Sequence, residues 1–340
     1  VIPYALPFRE PYVTARGRLD RREMVLLRIR TADGVTGLGE GVPLSLRGGG
    51  TLVDLVEELE AWVVRATAGD NSLAGMSGPA RIAAETALTD AEAHRREVPM
   101  HRLLDPESTP RELHCNATLT AGSPGQVLEQ AERWAADGFT VFKLKLGAGD
   151  DVAQVRAVRE GLGREVDIRI DANASWGPDE AAAKLDALEP LGIELAEQPV
   201  GGLAAMAALR AGTDVPLVAD EAVSSAAEAA EAAEAGACDA VTVKLSKTGT
   251  LDASLGSHLP TYLSSALDGP VGIAAAAHAA LALPRSGPFS DVAHGLATSR
   301  LFSETIADEG SSLTGPWLSP GPGPGLGVTI DEAALQRLRL

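Results

Sequence analysis

Five charged residues, Lys145, Asp171, Glu197, Asp220 and Lys244, follow one another at intervals of 26, 26, 23 and 24 residues. Each closes a short apolar run, and each interval is close to one βα repeat. The first run, "TVFKLKL" at 140–146, holds a second lysine. Alternate side chains of a strand share a face, so Lys143 and Lys145 point one way with Val141, while Phe142, Leu144 and Leu146 point the other. One lysine near a strand end is ordinarily a solvated edge charge. Two on one face of a buried-looking strand need a different account.

The three acids supply it. Carboxylates converging on one cavity repel one another and are costly to ionise without a cation. All-oxygen donors with room left for water and substrate suit Mg²⁺, with Mn²⁺ as a substitute, and do not suit zinc. A free lysine, with a pKa near ~10.4, is too protonated to act as a base. A neighbouring ammonium and a divalent cation both push it down. A metal that holds a carboxylate, with a base beside the α-carbon, is equipped to abstract an α-proton and form an enediolate.

Elements must bring these residues together. Eight candidate strands run over 114–120, 140–146, 167–173, 192–199, 216–221, 240–246, 260–267 and 292–298. Alanine-rich helical stretches separate most of them, at 124–137, 151–162, 178–189, 224–235 and 270–283, and the sixth connection, 247–259, is a poorer helix. This rhythm predicts a modified (β/α)8 TIM-type barrel of (β/α)7β form, in which chemistry sits at the C-terminal strand ends. Before it, "MVLLRIRTADGVTGLGE" alternates on both sides of Asp33-Gly34, a hairpin signal, and helical patterns follow at 51–67 and 79–96. The expected division is an α+β capping domain over 1–112, the barrel over 113–310, and a segment over 311–340 that returns to the cap. "GPGPGLG" in that segment is no phosphate loop, because its prolines remove amide donors and no lysine follows.

The 340 residues carry a formal charge of −18 with no basic block, which argues against nucleic acid and anionic membranes as partners. Cys115 and Cys238 make neither a disulfide framework nor a zinc spacing. No apolar run reaches the roughly 20 residues that span a bilayer, and no secretory leader is read. A cytoplasmic enzyme acting on a small-molecule carboxylate is expected.

The motifs "FKLKL", "RIDANASW", "LAEQPV", "VADEAV" and "VTVKLSKTG" resemble, in residue type and order, those of the muconate-lactonizing subgroup of the enolase superfamily, where a lysine base works with Mg²⁺. The resemblance covers nearly the whole chain. It implies Asp171, Glu197 and Asp220 as Mg²⁺ ligands, Lys145 and Lys244 as the catalytic pair, Lys143 tuning Lys145, and Asn173 and Glu221 supporting the ligands from behind. Dimers or larger rings are common in such proteins, so a homo-oligomer is compatible with it.

Within the subgroup, "LSSALDGPVGIAAAAHAALALP" (263–284) and "AHGLATSRLF" (293–302) resemble segments of o-succinylbenzoate synthases. This implies syn dehydration of 2-succinyl-6-hydroxy-2,4-cyclohexadiene-1-carboxylate in the menaquinone pathway. Ser264, Ser265 and the amides opening the helix near Gly269 would then bind a substrate carboxylate, and Arg47 in the "GEGVPLSLRGGG" loop would meet an anionic substrate. The alternative is a dipeptide epimerase or N-succinylamino acid racemase, with muconate cycloisomerase behind it. "SKTGT" looks as much like an epimerase's pattern, but the Asp-x-Asp with which dipeptide epimerases hold a substrate ammonium is missing. A barrel that binds a metal-chelated acid without turnover leaves the lysine pair unexplained.

Overall fold

The computed structural model describes residues 1–44, 48–284 and 291–340. The chain opens with three antiparallel strands in the order β1 (Ile2–Thr14), β2 (Gly17–Arg30), β3 (Thr36–Gly41). The expected turn at Asp33-Gly34 joins the last two, with Gly34 donating to the Thr31 carbonyl. Helices α1 (Leu52–Thr67) and α2 (Gly78–Arg95) cover one face, burying Val25, Leu27, Leu55, Leu59 and Trp62 between them and the sheet. The alternating glycines of "TGLGEG" permit this packing. A Cβ at Gly39 would lie 1.9 Å from the Ala83 carbonyl oxygen of α2, so only glycine lets the strand approach so closely.

After the short α3 (His101–Leu104) and β4 (Leu113–His114), the barrel strands follow. They are β5 (Ala117–Leu119), β6 (Val141–Lys145), β7 (Asp167–Asp171), β8 (Ile193–Glu197), β9 (Leu217–Ala219), β10 (Ala240–Val243) and β11 (Thr261–Leu263). They form one parallel sheet in sequence order. Between them run α4 (Pro124–Ala136), α5 (Asp151–Leu162), α6 (Pro178–Leu188), α7 (Leu203–Arg210), α8 (Ala226–Glu234), the four-residue α9 (Leu245–Thr248), and, after β11, α10 (Pro270–Ala282). Ser123, Asp150 and Ser225 cap the N-termini of α4, α5 and α8 through their side-chain oxygens, which starts these helices just beyond the strand ends. The sixth connection is the poor helix expected of it.

The expected eighth strand over 292–298 is a correction. It shrinks to two parallel bridges, Cys115 to His294 and Ser264 to Gly295, before the chain turns into a 3₁₀ helix at Ala297–Leu301. Gly295 is pressed against Ser264, whose Oγ lies 2.4 Å from where a Cβ would sit. Beyond it the chain leaves the barrel to meet β1, with Phe8 bridging Phe302 and Ser303 donating to the Pro7 carbonyl at 2.9 Å. Inside the barrel, buried Arg169 donates to the Ala293 carbonyl at 2.5 Å and forks onto Glu194. This ties the abbreviated eighth position to β7.

The tail contributes β12 (Ala307–Glu309), β13 (Ser312–Thr314), β14 (Trp317–Ser319), β15 (Thr329–Ile330) and α11 (Glu332–Leu338). β14 pairs with β4, which splits the expected 114–120 strand in two. The tail packs on the first unit: Leu326 donates to Asp90 Oδ1 at 2.7 Å and Leu340 to the Pro3 carbonyl at 3.1 Å. Among the described residues no helix is long and apolar enough to cross a membrane.

Candidate active site

Parallel pairing sets Lys145, Asp171 and Glu197 level with one another across β6, β7 and β8. Glu197 is level with Val218 on β9, so Asp220 stands two residues further along, and Ala219 is level with Val241 on β10, so Lys244 stands further still. The charges therefore climb around the sheet instead of lying in one row, because closing a barrel imposes a stagger between strands.

All three acids are fully buried, and ammonium groups interleave them. Lys143 Nζ donates to Glu197 Oε2 at 2.6 Å and lies 3.0 Å from Asp171 Oδ2. Lys145 Nζ is 2.5 Å from Asp171 Oδ2 and 3.5 Å from Asn173 Oδ1. Lys244 Nζ pairs with Asp220 Oδ2 and reaches Glu197 Oε1 at 3.5 Å. Asn173 donates its amide to Asp171 Oδ1 at 3.0 Å and its side chain to Glu221 Oε1 at 3.2 Å. The structure thus gathers Lys143, Lys145, Asp171, Asn173, Glu197, Asp220, Glu221 and Lys244 into one network.

Other members escaped the sequence reading. Lys247 Nζ lies 3.0 Å from Asp220 Oδ1; its signal was the three-residue spacing from Lys244, one helical turn on. Thr242 and Tyr262 donate to Glu197 Oε2, each at 3.0 Å. Arg16, from the β1–β2 turn, donates to the Asn173 carbonyl at 2.9 Å and approaches Glu221 at 3.8 Å, a contact across the two units with no local signature. Gln198 Oε1 accepts the amides of Asp220 and Ala222. Asn173, Ala174, Gln198 and Leu267, all in loops beyond strand ends of this rim, have positive φ, a strained conformation that collects at functional sites.

Burial alone would lower Lys143, but the Asp171 and Glu197 carboxylates against it hold it well above the usual lysine range. Burial alone would raise Asp171, yet Lys143, Lys145 and Lys244 together hold it far below the carboxylate range. At Lys143, attraction to two carboxylates outweighs the cost of burial. With the ammoniums in between, no group of three His, Cys, Asp or Glu side chains among the described residues could hold a metal as it stands. The available donors are carboxylate oxygens without thiolate or imidazole, a set whose chemistry fits a hard cation.

Above the network opens a cleft of about 700 Å³, its mouth included. Arg16, Arg22, Lys143, Lys145 and Lys244 line it, and among its described lining residues there is no Asp or Glu. Ser264 and Ser265 also line it, but the expected carboxylate pocket beside them is already filled. Ser265 Oγ donates to Asp268 Oδ2 at 2.9 Å and accepts the Asp268 amide at 2.8 Å, while the Gly269 amide at the start of α10 donates to Glu40 Oε1 at 2.6 Å. β3 docks its own anion on the helix start, which local sequence does not reveal. Burial and the nearby Asp268 push Glu40 up to about 7. Arg47 lies outside the described residues.

Buried lysines and carboxylates at the C-terminal rim of a parallel barrel, beneath an α+β cap, define an acid–base enzyme architecture. The N-terminal domain model of the mandelate racemase / muconate lactonizing enzyme family matches residues 1–105, and the enolase C-terminal domain-like model matches residues 126–334. The chain belongs to that family, in the muconate-lactonizing subgroup of the enolase superfamily. It is 30% identical to a muconate cycloisomerase of Acinetobacter lwoffii over 98% of this chain and 92% of that protein. The N-succinyl Arg/Lys racemase of Bacillus cereus superposes with a TM-score of 0.91 at 25% identity, covering 100% of this chain and 96% of that one. The dipeptide epimerase of Enterococcus faecalis, solved with Mg and the dipeptide L-Leu-L-Tyr, superposes at 0.87 with 25% identity over 96% and 97%. All three are isomerases. They favour the isomerase alternatives, cycloisomerase included, over the synthase.

Proposed function

We propose that this chain moves a proton from one face of an α-carbon to the other, racemising an N-acylated amino acid. The observation that carries the proposal is the lysine pair. Lys145 and Lys244 lie on β6 and just past β10, four strand positions apart, and both line one cleft, each paired to a different acid. One base is enough for an elimination; a transfer between faces needs two.

Asp171, Glu197 and Asp220 would hold Mg²⁺, or Mn²⁺ in its place, which when bound supplies positive charge for the substrate carboxylate. Lys143 stays charged and keeps Asp171 and Glu197 compensated. A neutral Lys145 takes the α-proton onto its Nζ, and the Lys244 ammonium delivers a proton to the opposite face of the same carbon. The roles exchange for the other antipode. The cleft wall supports acyl amino acids over dipeptides: it carries five basic side chains and, among the described lining residues, no carboxylate to neutralise a free ammonium.

The test follows the α-proton in D₂O with each antipode of N-succinyl amino acids and Mg²⁺. Wild type should yield the opposite antipode carrying deuterium. Lys145→Ala and Lys244→Ala should each lower racemisation by ~10²–10⁴, while each still exchanges the proton of a different antipode. Dehydration of the cyclohexadiene carboxylate with no exchange in any amino-acid substrate would replace this reading by the synthase.

A further inference from the structure

Thr298 stands on the seam where the barrel closes, three residues past the Gly295 bridge to Ser264 and inside the short Ala297–Leu301 helix. The residue lines the cleft that holds Lys145 and Lys244. Only 4% of the residue is exposed, and among the described residues its Oγ1 has no hydrogen-bond partner. As the second residue of that helix, Thr298 has no earlier helical turn whose carbonyl could take its hydroxyl. A buried hydroxyl left unpaired costs about 1–3 kcal/mol, a cost a fold carries where a ligand supplies the partner.

The surroundings narrow what that partner is. The charged groups of the wall are cations, suited to carboxylates, whereas Thr298 is neutral and can both donate and accept. A neutral dipole flanked by anionic ends matches it. We propose that Thr298 is a specificity-determining binding residue whose hydroxyl pairs with the acyl amide of the substrate. This deepens the racemase reading above and rests on it. The wall then favours an acyl amino acid for two separate reasons, charge along the cations and hydrogen bonding at the seam. A site built around such a bond rejects analogues that lack the group, because its own polar atom is left stranded.

The test measures binding as well as turnover. N-Succinylglycine and heptanedioate have the same chain length and the same two carboxylates, and differ in the amide. Calorimetry with Mg²⁺ present should find that wild type prefers N-succinylglycine, and that Thr298→Val, which keeps the shape and loses the hydroxyl, reduces that preference about 5- to 150-fold, the equivalent of the stranded-group cost. Thr298→Ser should restore it. In turnover, Thr298→Val should raise KM for N-succinyl amino acids more than it lowers kcat. An unchanged preference in Thr298→Val, or no binding of N-succinylglycine by wild type, would overturn the assignment. Failure of the racemase reading is separate: wild type would bind N-succinylglycine with the Thr298-dependent preference and yet exchange no α-proton.

Discussion

Lys143 and Lys145 share a strand and a face but not an environment. Lys143 bridges two fully buried acids, whereas Lys145 pairs with one and faces the cleft beside Asn173. The first is suited to remaining charged, the second to exchanging a proton with substrate. Lys145→Ala should therefore lower turnover by ~10²–10⁴, the contribution of a positioned base, with an unchanged circular dichroism spectrum. Lys244→Arg should abolish racemisation, since guanidinium is no base at neutral pH. Chiral chromatography of the product reads both. Retention of racemisation in Lys244→Arg would remove Lys244 from the proton path.

The contact between β3 and α10 joins the cap to the cleft. Glu40 accepts from Tyr4 OH at 2.7 Å and from the Gly269 amide, while Arg22 donates to the Pro43 and Ala266 carbonyls at 2.9 and 3.0 Å. Together they hold the β11–α10 loop that lines the cleft. Burial and Asp268 raise Glu40 from 4.5 to about 7, so between those values the folded state binds more protons than the unfolded state and stability falls as pH rises. Glu40→Gln keeps an acceptor and removes the titration. Relative to Glu40→Gln, wild type should lose about 3 kcal/mol of unfolding free energy between pH 4.5 and 7. Urea titrations of both proteins across that range measure the difference. A constant difference would mean that Glu40 is not titrating in place.

At the scale of the molecule, the buried acids are already compensated by four lysines, Lys143, Lys145, Lys244 and Lys247. The fold should accordingly stand without a metal. Exhaustive chelation should abolish turnover and leave a cooperative thermal transition. Adding Mg²⁺ should restore activity and raise Tm with concentration, as binding to the native state alone requires. Full activity after chelation would remove the metal from the mechanism, and unfolding on chelation would show that the lysines do not suffice.

The sequence by itself determined the spacing of Lys145, Asp171, Glu197, Asp220 and Lys244 and the strands that carry them. Alternation along a strand and the length of a βα repeat are local properties, written in neighbouring residues. The same holds for the hairpin at Asp33-Gly34 and the weak sixth helix. What only the tertiary structure decided depends on residues far apart in the chain. The eighth strand dwindled because Phe302 and Ser303 found partners in β1. The start of α10 was closed to a substrate carboxylate by Glu40, more than 200 residues away in sequence. Arg16 reached Asn173 across the two units, and the level of each charge was set by the stagger of a closing barrel. Lys143 is held above the usual lysine range by two acids brought against it from β7 and β8, a proximity that composition and spacing do not encode.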